Sequence, residues 1–110
     1  MYFKISSTTK QTFPCKPLYR SEHYRLYSVP NNLDSARLGI QITKKAVGLA
    51  VIRNQIRRKI KEDFRSIRTA LPQQDFLVII SSKITSEKHQ ISDILMREWK
   101  KSTKSLLKSQ

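Results

Sequence analysis

Nine basic residues fall between Lys44 and Arg68, against only Glu62 and Asp63. On a helix turning about 100° per residue, with Arg53 at zero, Arg57 lies at about 40°, Arg68 at about 60° and Lys61 at about 80°. Asn54 follows at about 100°, Arg65 at about 120° and Arg58 at about 140°. Five cations thus share one arc with an amide near its centre, while Glu62 (about 180°) and Asp63 (about 280°) stay off it. A helix that needs only solubility intersperses both signs for pairing one turn apart. Single-sign charge, more Arg than Lys, and the embedded Asn54 mark a polyanion-binding ridge rather than a solvated face. The planar guanidinium grips phosphate through two parallel hydrogen bonds and stacks on bases. Lys44 and Lys45, just upstream, extend the same surface.

Residues for acid–base or metal chemistry are not gathered in this way. Glu62-Asp63 is the one adjacent acidic pair, and helical neighbours diverge by about 100°, so the two do not make a two-metal site. His23 and His89 lie far apart without metal-ligand spacing. Cys15 is the only cysteine, which excludes an internal disulfide or a multi-cysteine zinc site. Gly39 and Gly48, the only glycines, cannot supply a Gly-rich phosphate loop.

The ridge needs a scaffold, and hydrophobic periodicity supplies one. Ile56, Ile60, Phe64 and Ile67 fall at about 300°, 340°, 20° and 320°, one apolar stripe that must face a sheet. The helix is predicted from Ala50 to Leu71, stopped by Pro72. Upstream, Ala36–Thr43 alternates, with Leu38, Ile40 and Ile42 on one face, as a half-buried strand does. Tyr24–Val29 is β-favouring, ends at the turn composition Pro30-Asn31-Asn32, and is expected to pair with it. Asp75–Ser81 is a continuous apolar run, predicted as a strand buried on both faces. A second helix is predicted from a Thr85 or Ser86 cap towards Leu107, with Ile91, Ile94, Leu95 and Trp99 as core packing. Met1–Arg20, with Pro14 and Pro17, leaves open a short helix ending near Phe13 or an extended segment.

Together these elements predict one α+β domain over residues 1–110, a small two-layer sandwich of two main helices on a mainly antiparallel sheet. Residues 1–20 are its least ordered part and residues 108–110 a tail. The 110 residues carry 22 Lys plus Arg against 8 Asp plus Glu, a net charge of +14. Such an excess points to nucleic acid, an acidic membrane surface or an acidic protein. The Ile-rich stripe, matched to a sheet, disfavours a membrane-surface helix. Ala46–Ile52 and Phe76–Ile80 fall far short of the roughly 18 apolar residues of a membrane span. Met1–Gln11, interrupted by Lys4 and Lys10, does not read as a secretory signal, so a cytoplasmic protein is expected. Lys100, Lys101, Lys104 and Lys108 read as a solvated end that touches RNA loosely.

The stretch from Leu38 to Arg58, LGIQITKKAVGLAVIRNQIRR, resembles the bacterial ribonuclease P protein family: a strand ending in two Lys, a Gly, an Ala-Val pair, then Arg-Asn-Arg and two further cations. The order of elements across Tyr24–Leu107 is similar too. The resemblance implies a left-handed βαβ crossover, against the general right-handed preference. It implies a catalytic ribonuclease P RNA as partner, whose holoenzyme removes the 5′ leader of precursor tRNA. In that family Mg²⁺ is held by the RNA, no protein residue is catalytic, and neither a membrane nor DNA is a partner. Arg53 and Asn54 match the first two motif residues, Gln55 replaces the third, Arg57 and Arg58 match the basic pair, and Lys61 a later cation. Phe13 and Tyr27 align with aromatic positions of the family's leader-binding cleft. Aromatics suit an unpaired leader, because every base offers a face for stacking. Tyr24 and Tyr27 have opposite strand parity, so one alone faces the cleft; Tyr27 is favoured and Tyr24 reads as core. Thr9 stands where the family often has an aromatic. The alternative is a ribosome-associated or general RNA-binding protein, which shares the charge but has no use for the extended motif.

Overall fold

The structure, a computed structural model, describes residues 16–30, 36–85 and 87–108. Its elements follow in order as β1 (Tyr19–Arg20), β2 (Arg25–Pro30), β3 (Arg37–Ile42), α1 (Ala50–Ile67), a 3-10 turn (Arg68–Ala70), β4 (Gln74–Ile80) and α2 (Lys88–Lys108). The sheet order is β1-β2-β4-β3. β1 and β2 form an antiparallel hairpin, and β2 pairs antiparallel with β4, Leu26 opposite Val78. β3 pairs parallel with β4, Leu38 beside Phe76. The α+β sandwich with a mainly antiparallel sheet is therefore the fold of this chain.

One pairing differs from the sequence expectation. β3 does not lie beside β2; β4 is inserted between them. The reason is visible in composition. β4 carries Phe76, Leu77 and Val78, all buried in succession, and a strand apolar on both faces belongs at the centre of a sheet. β3 alternates, which suits a strand with one face less covered. The helix between β3 and β4 makes their parallel pairing possible, because parallel neighbours need a long crossover.

Element ends also differ slightly. α1 stops at Ile67, and the chain tightens into the 3-10 turn before Pro72, where a buried Leu71 is extended. α2 begins at Lys88, two to three residues after the caps expected at Thr85 or Ser86. Lys100, Lys101 and Lys104 lie exposed in the last turns of α2, within the helix predicted to run towards Leu107. Cations there favour the helix dipole.

Helices and sheet share one core. Ile56, Ile60 and Phe64 from α1, Leu26, Leu38, Phe76, Val78 and Ile80 from the sheet, and Ile91, Leu95 and Trp99 from α2 are buried together. Two polar ties cross it. Asp63 of α1 accepts a hydrogen bond from Trp99 Nε1 of α2 at 2.6 Å. The Tyr24 and Ser102 hydroxyls meet at 2.9 Å, and Ser102 Oγ donates to the Trp99 carbonyl at 2.7 Å. Tyr24 is fully buried, as its core reading requires. On the other sheet face Tyr27 and Leu77 form a small separate cluster with Val29 and Ile79.

Truncating Ile60 to Ala should cost about 2–5 kcal/mol, because a fully buried side chain leaves a cavity that the core closes only in part; urea denaturation measures it. Tyr24 gives a pH signature. Burial is the main cause that raises its phenol pKa above the ordinary 10.0, opposed by the Ser102 hydrogen bond. The raised folded pKa means that the stability contribution is complete below about pH 10 and is lost as pH rises beyond it. The urea midpoint should fall above pH 10, and Tyr24→Phe should remove much of that fall.

Candidate nucleic-acid interface

The site is set by how α1 is pinned. Thr43 closes the turn after β3: its carbonyl accepts from the amides of Ala46 and Val47, both at 3.1 Å, and its hydroxyl oxygen accepts from Ala46 N at 3.1 Å. Thr43 N donates to the Ile80 carbonyl at 3.0 Å, and Ile84 N to the Ala46 carbonyl at 3.2 Å. This turn holds Lys44 and Lys45 outward, both exposed. Ala46 and Val47 drop into the core, and α1 starts three residues later.

On α1, burial of Ile56, Ile60 and Phe64 against the sheet leaves the predicted arc outside. Asn54, Arg57, Arg58, Lys61, Glu62 and Arg65 line one open groove; Glu62, expected off the cationic arc at about 180°, is brought into it because it lies one position from Lys61 and three from Arg65 on the same helix. Arg57 donates to Asn54 Oδ1 at 3.2 Å, so the amide oxygen orients a guanidinium within the groove. The second turn's cations therefore sit on a helix whose other side is locked into the core, and little side-chain repositioning is required to present them.

Two residues of the expected ridge are placed elsewhere. Arg53 Nη1 turns back onto the carbonyls of Val47 (2.8 Å) and Gly48 (3.1 Å) and clamps the loop entering α1. Arg68 Nε donates to the Ala36 carbonyl at 3.2 Å, tying the end of α1 to the start of β3. Gln55 is exposed but does not line the groove, so the substitution of the motif's second Arg lies beside the ridge. Lys59 points to the other helix, where its Nζ meets Ser92 Oγ at 3.1 Å.

The second candidate region is the sheet face turned away from the helices. Tyr27 lies there at 9% exposure, beside Leu77; Phe13 lies outside the described residues. Sequence reading missed the charge on this face. Arg37 of β3 and Asp75 of β4, register partners, form a bidentate pair, Nε to Oδ1 at 2.8 Å and Nη2 to Oδ2 at 2.6 Å. The hydrogen bond to Asp75 is the main cause that raises the Arg37 pKa further, which keeps it cationic. Parity of the two residues one strand apart could have suggested the pair only with the β3–β4 register in hand.

The family model for ribonuclease P matches residues 6–107. The chain belongs to the ribonuclease P protein family. A ribonuclease P protein component from Azoarcus sp. strain BH72 is 36% identical over 73 residues, 66% of this chain and 61% of that protein. The one from Psychrobacter sp. strain PRwf-1 is 37% identical over 89 residues, 74% and 68% of the two chains. Among solved structures, the Staphylococcus aureus RNase P protein superposes with a TM-score of 0.64 at 26% identity, covering 88% of this chain and 92% of that one. The matches to the first curated relatives span about half to two thirds of their length.

Membership agrees with the resemblance carried by LGIQITKKAVGLAVIRNQIRR. Within this family member the clamp formed by Arg53 separates structural from exposed cations. Arg53→Ala should lower stability by about 1–3 kcal/mol, since charge-assisted hydrogen bonds to two carbonyls are lost. Arg58→Ala, on an exposed side chain, should leave the melting temperature within about 2 °C. Thermal unfolding of the two variants checks the contrast.

Proposed function

We propose that this chain is the protein subunit of a ribonuclease P holoenzyme that binds the catalytic RNA through the α1 groove and the 5′ leader of precursor tRNA through the sheet face that carries Tyr27. The observation that carries this reading is the groove itself, four cations and an amide against one acid, Glu62, on a packed helix in a chain of this family. Arg57, Arg58, Lys61 and Arg65 would meet phosphates, with Asn54 holding Arg57 in place, and Lys44 and Lys45 would extend the contact. Neutralising phosphates releases counterions, so affinity should fall steeply with salt.

Chemistry belongs to the RNA in this reading. Among the described residues no three His, Cys, Asp or Glu side chains come together as a metal site, and Mg²⁺ is assigned to the RNA partner. The protein lends charge where two polyanions must approach each other, which lowers the Mg²⁺ needed to screen them. Tyr27, with Phe13, would stack leader bases without reading their sequence.

Arg57→Ala with Arg58→Ala should weaken binding of the catalytic RNA and flatten the slope of log K against log salt by about 2, one unit per lost phosphate contact. An unchanged slope would remove the ridge from the interface. Tyr27→Leu keeps bulk against Leu77 and removes the ring. It should weaken holoenzyme binding of precursor tRNA by about 1–3 kcal/mol and leave mature tRNA unaffected. Equal losses for both ligands would contradict a leader contact.

A further inference from the structure

The hairpin of β1 and β2 holds two like charges together. Arg20 and Arg25 are direct register partners, so their side chains leave the same face with Cβ atoms about 4.5–5.5 Å apart. Like charges placed opposite each other destabilise a strand pair, and β1 is only two residues long. The hairpin is secured from its other face. Tyr19 donates to Glu98 of α2 at 2.9 Å and meets the Tyr24 ring edge-on at 5.9 Å, and Ser21 N donates to the Tyr24 carbonyl at 2.8 Å. Tyr19 and Leu26 face the helices, which by strand alternation turns Arg20 and Arg25 to the face that carries Tyr27.

No acid answers the pair on that face. Among the described residues neither guanidinium has an ion pair or a side-chain hydrogen bond. Glu22, in the turn between them, stands 3.8 Å from His23 Nε2, and Asp75 is taken by Arg37. Across β4, Arg25 has Ile79 opposite, and beyond Ile79 lies Gln41, whose buried Oε1 has no hydrogen-bond partner. Two unanswered cations and an unanswered acceptor thus share one row across the four strands, next to the row of Tyr27 and Leu77. The fold gains nothing from any of the three. We infer that Arg20 and Arg25 clamp one phosphate of the RNA strand that meets Tyr27, the 5′ leader of precursor tRNA. Two planar forks converging from neighbouring strands match the oxygens of a phosphodiester. Arg25 is half-buried, which weakens the screening of such a contact. The catalytic RNA is the poorer occupant, because the pair shares a face with Tyr27 and not with the α1 groove. This inference rests on the leader reading of that face, and adds to stacking a charged contact that fixes where the backbone lies.

The test is a double variant, Arg20→Gln with Arg25→Gln, assembled with a ribonuclease P RNA and measured for binding of precursor and mature tRNA across a salt series. The substitutions relieve a repulsion, so the melting temperature of the protein should equal or exceed that of the parent; a lower one would show that the pair serves the fold. Affinity for precursor tRNA should fall about tenfold at low salt. The slope of log K against log salt should flatten by about 0.7, the value for one phosphate of a single strand. Affinity for mature tRNA, and of the protein for the catalytic RNA, should stay within about twofold of the parent. Precursor affinity that also stays within that range would overturn the clamp, and a loss on the catalytic RNA would overturn its assignment to the leader. Arg20→Lys with Arg25→Lys keeps the charge without the fork and should keep the parent's slope; a slope flattened as in the Gln variant would overturn the charge contact. Tyr27→Leu, run in parallel, separates the two levels of the argument. A selective loss there with none in the Gln variant ends the clamp and leaves the leader reading standing, whereas no loss in either ends both.

Discussion

Burial of the Ile56, Ile60 and Phe64 stripe against the sheet decides the orientation of everything that carries charge on α1. Complete burial of each such side chain is worth about 1.5–3 kcal/mol, more than any surface ion pair offers. Rotating α1 to hide its guanidinium groups would expose the stripe, so the cations are forced outward as a fixed row. The bond between Asp63 and Trp99 secures α2 against the same helix and takes one of the two acids of this segment into the helix–helix contact. The groove keeps four cations against the single acid Glu62, a net positive surface that suits a polyanion.

Much of this arrangement was legible in the residues, because helical periodicity and a long apolar run are local signals. The stripe, the groove residues Asn54, Arg57, Arg58, Lys61 and Arg65 and the doubly buried β4 all follow from spacing alone, while the buried Tyr24 follows from strand parity together with the family resemblance. What spacing does not carry is the identity of neighbours. β3 next to β4 rather than β2 is a long-range choice, settled by which strand is apolar on both faces. Arg68 shares the angles of the ridge and Arg53, at zero, those of the apolar stripe, and carbonyls of Val47, Gly48 and Ala36 within reach capture their guanidinium groups. Free backbone acceptors at a loop compete with any phosphate for an arginine, and their positions emerge only with the fold. The Arg37–Asp75 pair is hidden for the same reason.

The two faces of the molecule divide the work by chemistry. The α1 side presents Arg-rich charge on a rigid surface, suited to phosphates whose positions are set by a folded RNA. The sheet face turned away from α1 and α2 carries the largely buried Tyr27 with Leu77, Val29 and Ile79, the Arg37–Asp75 pair and, by strand parity, Arg25. In the proposed reading such a component contributes grip and charge, and leaves bond-breaking to its RNA partner.

The most direct test of that division is the cleavage rate of a precursor tRNA by a bacterial ribonuclease P RNA at low Mg²⁺, with and without this protein. A large gain with the protein, giving mature 5′-phosphorylated ends and fading as Mg²⁺ is raised, is the predicted result. Tight, salt-sensitive RNA binding without any gain in cleavage would contradict it and leave a general RNA-binding protein in its place.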